Sequence, residues 1–175
     1  LPPENDFSGQ APKIGVWVCN CGINIGGVAD VPAVRDYAAT LPFVTHVEDK
    51  LFTCSQDSQD HMKEMIKEHN LNRIVVAACS PRTHEPLFQE TIRDAGLNKY
   101  LFEMANIRDQ NTWVHMKDAA KATTKAKDLV RMAIAKAAFI EPLHQVSLGI
   151  KKAILVVGGG AAGMEAALNA AGQGV

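Results

Sequence analysis

Short apolar runs of strand length alternate with helical patterns from residue 14 to about residue 140, and this alternation constrains the fold more than any other feature of the chain. The run Ile14-Gly-Val-Trp-Val-Cys19 is β-rich and nearly continuous, as expected of a strand buried on both faces. Asp30 can cap a helix with Pro32 in its first turn; Val34, Tyr37, Ala38 and Leu41 share one of its faces, and Pro42 stops it. Residues 44–52 read as a second, more polar strand. A helix from Ser55 sets Met62, Met65 and Ile66 opposite Lys63, Glu64 and Lys67, with Asn70 at its C-terminal end. Residues 73–79 (RIVVAAC) form the clearest central strand, and the loop from Ser80 opens a third helix that Gly96 ends. A fourth strand spans 100–105, and a long helix rich in Ala and Lys spans 112–139. Such alternation implies βαβ crossovers and an α/β fold with a doubly wound parallel sheet, Rossmann- or flavodoxin-like.

Residues 1–12 have no place in this pattern and read as a leader or a remnant. Residues 13–140 form the α/β domain, 141–150 a linker, and 151–175 the start of a second domain cut off after its first βα unit. Eighteen Lys and Arg balance nineteen Asp and Glu, for a net charge of −1. That balance argues against a general nucleic-acid or anionic-membrane binder. No stretch approaches the roughly 18–20 uncharged apolar residues of a membrane span. The first residues lack the charged and apolar regions of a signal peptide. The expectation is a soluble, cytoplasmic protein.

The four cysteines, Cys19, Cys21, Cys54 and Cys79, all fall just past or at the end of an expected strand. In a parallel sheet those positions share the carboxyl edge, where open α/β sheets bind ligands. Adjacent strands are about 4.8 Å apart, so four thiols on neighbouring strand ends can converge on one site. Structural disulfides are disfavoured in the cytoplasm. Four thiolates suit zinc or an iron–sulfur cluster, and the C-x-C…C…C spacing does not choose between them. A thiol–disulfide couple is a third reading, without the usual C-x-x-C motif. A fourth is four buried small apolar side chains. Arg82 and His84, in the loop after Cys79, could hydrogen-bond a bound group or simply cap the third helix. The other five histidines fall at no ligand spacing, and Trp17 and Trp113 read as core.

Gly158-x-Gly160-x-x-Gly163 follows the apolar run 153–157 and opens a helix at Met164. Strand before and helix after give the dinucleotide-binding reading: a tight turn, close approach of a diphosphate, and close packing of helix on strand. The acidic residue that would hold the ribose, about 20 residues further on, falls beyond Val175.

Several stretches resemble the N-terminal region of the heterodisulfide reductase A subunit: Cys19-Asn-Cys21-Gly-Ile-Asn-Ile-Gly26, Cys54-Ser55, Ala77-Ala-Cys-Ser-Pro-Arg-Thr-His-Glu-Pro86, Asn106-Ile-Arg-Asp-Gln110 and Lys125-Ala-Lys-Asp-Leu-Val-Arg-Met132. The resemblance covers nearly the whole chain from Lys13. It implies an iron–sulfur flavoprotein, an oxidoreductase of anaerobic metabolism within a multi-subunit redox complex of the kind that can bifurcate electrons. Its partners would be the other components of that complex and a hydrogenase or dehydrogenase electron donor. Carried onto this chain, Cys19, Cys21, Cys54 and Cys79 would ligate a [4Fe-4S] cluster, and Gly158, Gly160 and Gly163 would contact FAD. The cluster would exchange single electrons with that flavin, and the isolated fragment would show no turnover. The rival is a structural or docking domain, zinc-bound or metal-free, that positions the flavin domain.

Overall fold

The computed structural model describes residues 2–175; Leu1, the first residue of the expected leader, lies outside the described residues. Complete burial of alternate and intervening positions alike makes β1 (Ile14–Cys19) and β3 (Arg73–Ala78) the centre of the sheet, as their unbroken apolar runs require. The partly exposed β2 (Val44–Lys50) and the short β4 (Phe102–Asn106) lie at its edges. All pairings are parallel, in the order β2-β1-β3-β4. The chain is therefore α/β with a doubly wound parallel sheet, and its switch point lies between β1 and β3.

Three helices provide the crossovers and a fourth, after the last strand, packs back on the sheet. α1 (Val31–Ala39) is capped by Asp30, whose carboxylate accepts the Ala33 N–H at 3.0 Å. α2 (Gln56–Glu68) buries Met62 and Ile66, and Asn70 follows it in the left-handed conformation (φ 50°). α3 (Pro81–Asp94) starts at the Ser80 cap and ends before Gly96, at φ 89°. α4 (Ala119–Ala137) lays an Ala-rich face with Val130 and Ile134 on the core.

α4 begins seven residues later than the helical pattern from 112 suggests. A π-helical turn, Arg108–Thr112, follows β4 after one residue, Ile107. The buried Asn111 donates from Nδ2 to the Ala122 carbonyl at 2.8 Å, tying that turn under α4, and Asp118 caps the helix by accepting the Lys121 N–H. The second strand also stops early, at Lys50, so Leu51 and Phe52 leave the sheet.

Residues 2–12, expected as a leader, run along the amino edge of the sheet. Asn5 donates its N–H to the Gly96 carbonyl at 2.8 Å, Asn98 donates to Glu4 at 2.9 Å, and Phe7 packs on the core. The wholly buried Asn72 donates to the Ala11 carbonyl and accepts the Lys13 N–H.

The chain divides into two compact units, one ending at Leu143 and one from His144 to Val175. In the second, residues 153–157 form no strand, since a single apolar run has no partner for a ladder within that unit. Its one helix, α5 (Ala161–Gly172), starts from Gly160.

Candidate functional site

The parallel sheet brings the carboxyl ends of all four strands to one edge. Cys19 ends β1, and Cys21 lies two residues on. Cys54 lies in the loop between β2 and α2, and Cys79 follows β3 immediately. Cys19 and Cys79 are buried, Cys21 and Cys54 are half-buried, and all four are free thiols.

Two loops hold the thiols. Cys21 sits in the left-handed region (φ 40°, ψ 45°), followed by Gly22 at φ 51°, so the chain turns sharply over the end of β1. The Cys21 N–H donates to the Leu51 carbonyl at 2.9 Å, and the Asn20 N–H donates to the Lys50 carbonyl. Gly27 permits the close packing of this loop: a Cβ there would lie 2.8 Å from the Ile23 Cα. In the β2–α2 loop, the Thr53 N–H donates to the Cys19 sulfur at 3.5 Å, and the Cys19 S–H donates to the Leu51 carbonyl at 3.8 Å. Gln59 of α2 donates to the Cys54 carbonyl at 3.0 Å.

Burial pushes the Cys21, Cys54 and Cys79 thiols above the ordinary thiol range, and the Cys19 sulfur beside them adds to each shift. Cys54 acts in the same direction on both Cys21 and Cys79. The four sulfurs thus share one electrostatic environment. Among the described residues, no group of three or more His, Cys, Asp or Glu side chains is placed to hold a single metal ion.

The opposing influence comes from Arg108, in the π-helical turn after β4. Its guanidinium lowers Cys21, by charge and as a hydrogen-bond donor, and lowers Cys79 by charge. Arg108 stacks on Trp113, with Cζ 4.5 Å from the ring centroid, and its Nε donates to Asp109 at 3.2 Å. The Trp113 indole N–H donates to the Asn24 side chain at 3.2 Å, and the Thr112 hydroxyl donates to the Asn24 carbonyl at 2.6 Å. Trp113, expected in the core, is 47% exposed and serves as a platform beside the Cys21 loop. Arg82 is exposed at the start of α3 and His84 is half-buried there; neither side chain makes a hydrogen bond among the described residues.

Arg108 carries no periodicity or spacing signal. Its position past the end of β4, the same placement that singles out the cysteines, and its place in the resembling stretch 106–110 are the clues the sequence offers. Thr53 is the other unanticipated neighbour. It is wholly buried, and its hydroxyl has no partner among the described residues.

In the second unit Gly158 lies at φ 111°, a conformation that favours glycine. A Cβ on Gly163 would run into the Gly158 carbonyl, whereas the space around Gly160, the N-cap of α5, is open.

No family model matches the chain. It is 55% identical over 174 residues, 99% of its length, to the A subunit of the H(2):CoB-CoM heterodisulfide,ferredoxin reductase of Methanothermobacter marburgensis, covering 26% of that protein. It is 52% identical over 165 residues to a protein of Archaeoglobus profundus named for its likeness to the heterodisulfide reductase A subunit, or 94% of the chain and 24% of the relative. To one of the iron-sulfur A subunits of the CoB--CoM heterodisulfide reductase of Methanopyrus kandleri it is 51% identical over 165 residues, or 94% of the chain and 25% of the relative. The chain spans about a quarter of the length of these curated relatives. With more than half of the aligned residues identical over nearly its whole length, the chain is a homologue of the heterodisulfide reductase A subunit over a segment about one quarter as long as that protein.

Proposed function

We propose that the first unit is an electron-transfer module whose thiols Cys19, Cys21, Cys54 and Cys79 hold one [4Fe-4S] cluster at the carboxyl edge of the sheet. The observation that carries this reading is the gathering of all four free thiols at the ends of three adjacent parallel strands, in one electrostatic neighbourhood. The donor set is thiols alone, the set that iron–sulfur clusters take. The buried Thr53 hydroxyl beside them lacks the partner that such a group normally has, as a donor awaiting an acceptor would. The relative from Methanopyrus kandleri carries iron-sulfur in its name, in keeping with this assignment.

Zinc is the rival metal. With Zn–S bonds near 2.3 Å, tetrahedral zinc draws its four sulfurs to roughly 3.8 Å from one another. A four-iron core holds its four ligand sulfurs further apart, so the two metals ask different separations of the same thiols. When bound, the cluster supplies one-electron redox chemistry; the protein supplies ligation, burial and hydrogen bonds to sulfur.

Gly158, Gly160 and Gly163 would admit the diphosphate of FAD, by the tight turn and the open approach to the N-terminus of α5. In the whole protein the cluster would exchange single electrons with that flavin inside a multi-subunit heterodisulfide reductase complex. The Methanothermobacter relative's name includes H2 and ferredoxin, so a hydrogenase donor and a ferredoxin acceptor are the partners to look for. The 175-residue segment by itself would show no turnover. No helix among the described residues is long and apolar enough to cross a membrane, and we place the protein in the cytoplasm.

The test is iron, acid-labile sulfide and zinc content, with a visible spectrum, on protein prepared without oxygen. About four irons and four sulfides per chain, with absorbance that bleaches on reduction, is the expected result. One zinc without sulfide would make the domain structural. No metal uptake after reconstitution with iron and sulfide would overturn the reading outright.

A further inference from the structure

We propose that Arg108, held against the Trp113 ring and Asp109 at the end of β4, is a positioning residue that favours the reduced state of the cluster at the cysteine edge. The inference rests on the iron–sulfur reading above. Each electron added to a cluster adds negative charge, and a fixed cation nearby stabilises that charge most where water is partly excluded.

Arg108 meets the requirements. A guanidinium stays charged at every working pH. Its side chain is 18% exposed, so the solvent screens it only in part. The stack on Trp113, at 4.5 Å, holds the plane in place, and the indole is itself anchored to Asn24 of the Cys21 loop. The Thr112 hydroxyl ties the same π-helical turn to the Asn24 backbone. Cation and ligand loop therefore move as one piece.

Two other charges could compete. Lys50 pairs with Cys19 in the β1–β2 register, but its ammonium is engaged at 2.5 Å by Glu48. Asp109 accepts from Arg108, yet Arg108 is the group of this pair whose charge acts on Cys21 and Cys79.

The test is a dye-mediated redox titration, followed by visible absorption and electron paramagnetic resonance, of the 175-residue chain reconstituted with iron and sulfide. Arg108→Gln should lower the ratio of reduced to oxidised cluster about tenfold at fixed solution potential, a shift of about 59 mV for a one-electron couple. Arg108→Lys, which keeps the charge but loses the flat stacking face, should recover part of that shift. Trp113→Leu, which frees the guanidinium without removing it, should move the potential the same way by less. If Arg108→Gln holds a full cluster at the wild-type potential, the inference is overturned while the cluster reading stands. If Gln and Lys variants alike fold but hold no cluster, Arg108 is a loop anchor and the inference also fails. Wild-type protein that takes up no iron overturns the underlying reading instead.

Discussion

The backbone N–H of Thr53 donates to the Cys19 sulfur at 3.5 Å, so the loop after β2 hangs from the last residue of β1. That bond puts a wholly buried threonine hydroxyl without a partner next to a proposed ligand. An unsatisfied buried hydroxyl costs about 1–3 kcal/mol.

Thr53→Val is therefore expected to stabilise the metal-free chain by about 1 kcal/mol, since the swap removes the unsatisfied group at nearly constant volume. In the iron-loaded chain the gain should vanish, because the hydroxyl would then have an acceptor to lose. Thermal melts of both forms check this. A valine variant less stable than wild type without metal would mean that the hydroxyl already has a partner.

The amino-terminal segment gives a second expectation. Deleting residues 2–12 removes the Asn5 and Glu4 contacts around Gly96 and Asn98, takes Phe7 off the core, and leaves the Asn72 Nδ2 without its acceptor. Exposing the apolar surface under Phe7 alone costs about 1.5–3 kcal/mol, and the orphaned amide adds to it. Denaturant melts should show a loss of at least about 2 kcal/mol. A truncated chain as stable as the intact one would mean that the segment merely lies on the surface.

Much of this architecture is legible in the residues. Unbroken apolar runs in β1 and β3 identify strands buried on both faces, and Asp30, Ser80 and Gly96 mark helix ends where the chain obeys local capping chemistry. The placement of the cysteines at strand ends follows from those runs. The placing of Arg108 and Trp113 beside the cysteines was not legible: the stretch 106–110 carries the resemblance but no role, because a π-helical turn has no repeating pattern, and a large aromatic side chain normally signals core. The run 153–157 looks like a strand, but a ladder needs a second strand, which local sequence does not provide.

Glu48 carries a pH prediction. Burial pushes its carboxyl up, but hydrogen bonds from Lys50 and His46 and the charges of Lys50 and His61 together outweigh burial, and the net shift is downward. The Lys50 ammonium lies 2.5 Å and the His46 and His61 rings 2.7 Å and 3.1 Å from its oxygens. A carboxyl lowered in the folded state contributes stability above its unfolded value, about 4.3, and loses it as pH falls through the folded value. Glu48→Gln should therefore cost about 1 kcal/mol near neutrality and show a shallower loss of stability below pH about 4.3. Equal acid limbs in the two proteins would show that the carboxylate's partners do not act on it in solution.

The ligand assignment makes the sharpest demand on Cys79. It follows β3 directly and is buried, so serine there has no room to shift and no neighbouring cysteine on its own strand to replace it. Cys21 lies in a left-handed turn of a glycine-rich loop, where a small backbone movement is easier. Cys79→Ser should therefore fall well below four irons per chain after anaerobic reconstitution and lose most of the absorbance near 400 nm, while its circular dichroism stays that of the wild type. Cys21→Ser should retain more iron than Cys79→Ser, because its loop can offer the hydroxyl or admit water. Full iron and sulfide in Cys79→Ser would remove that residue from the ligand set and with it the claim that three adjacent strand ends share one cofactor.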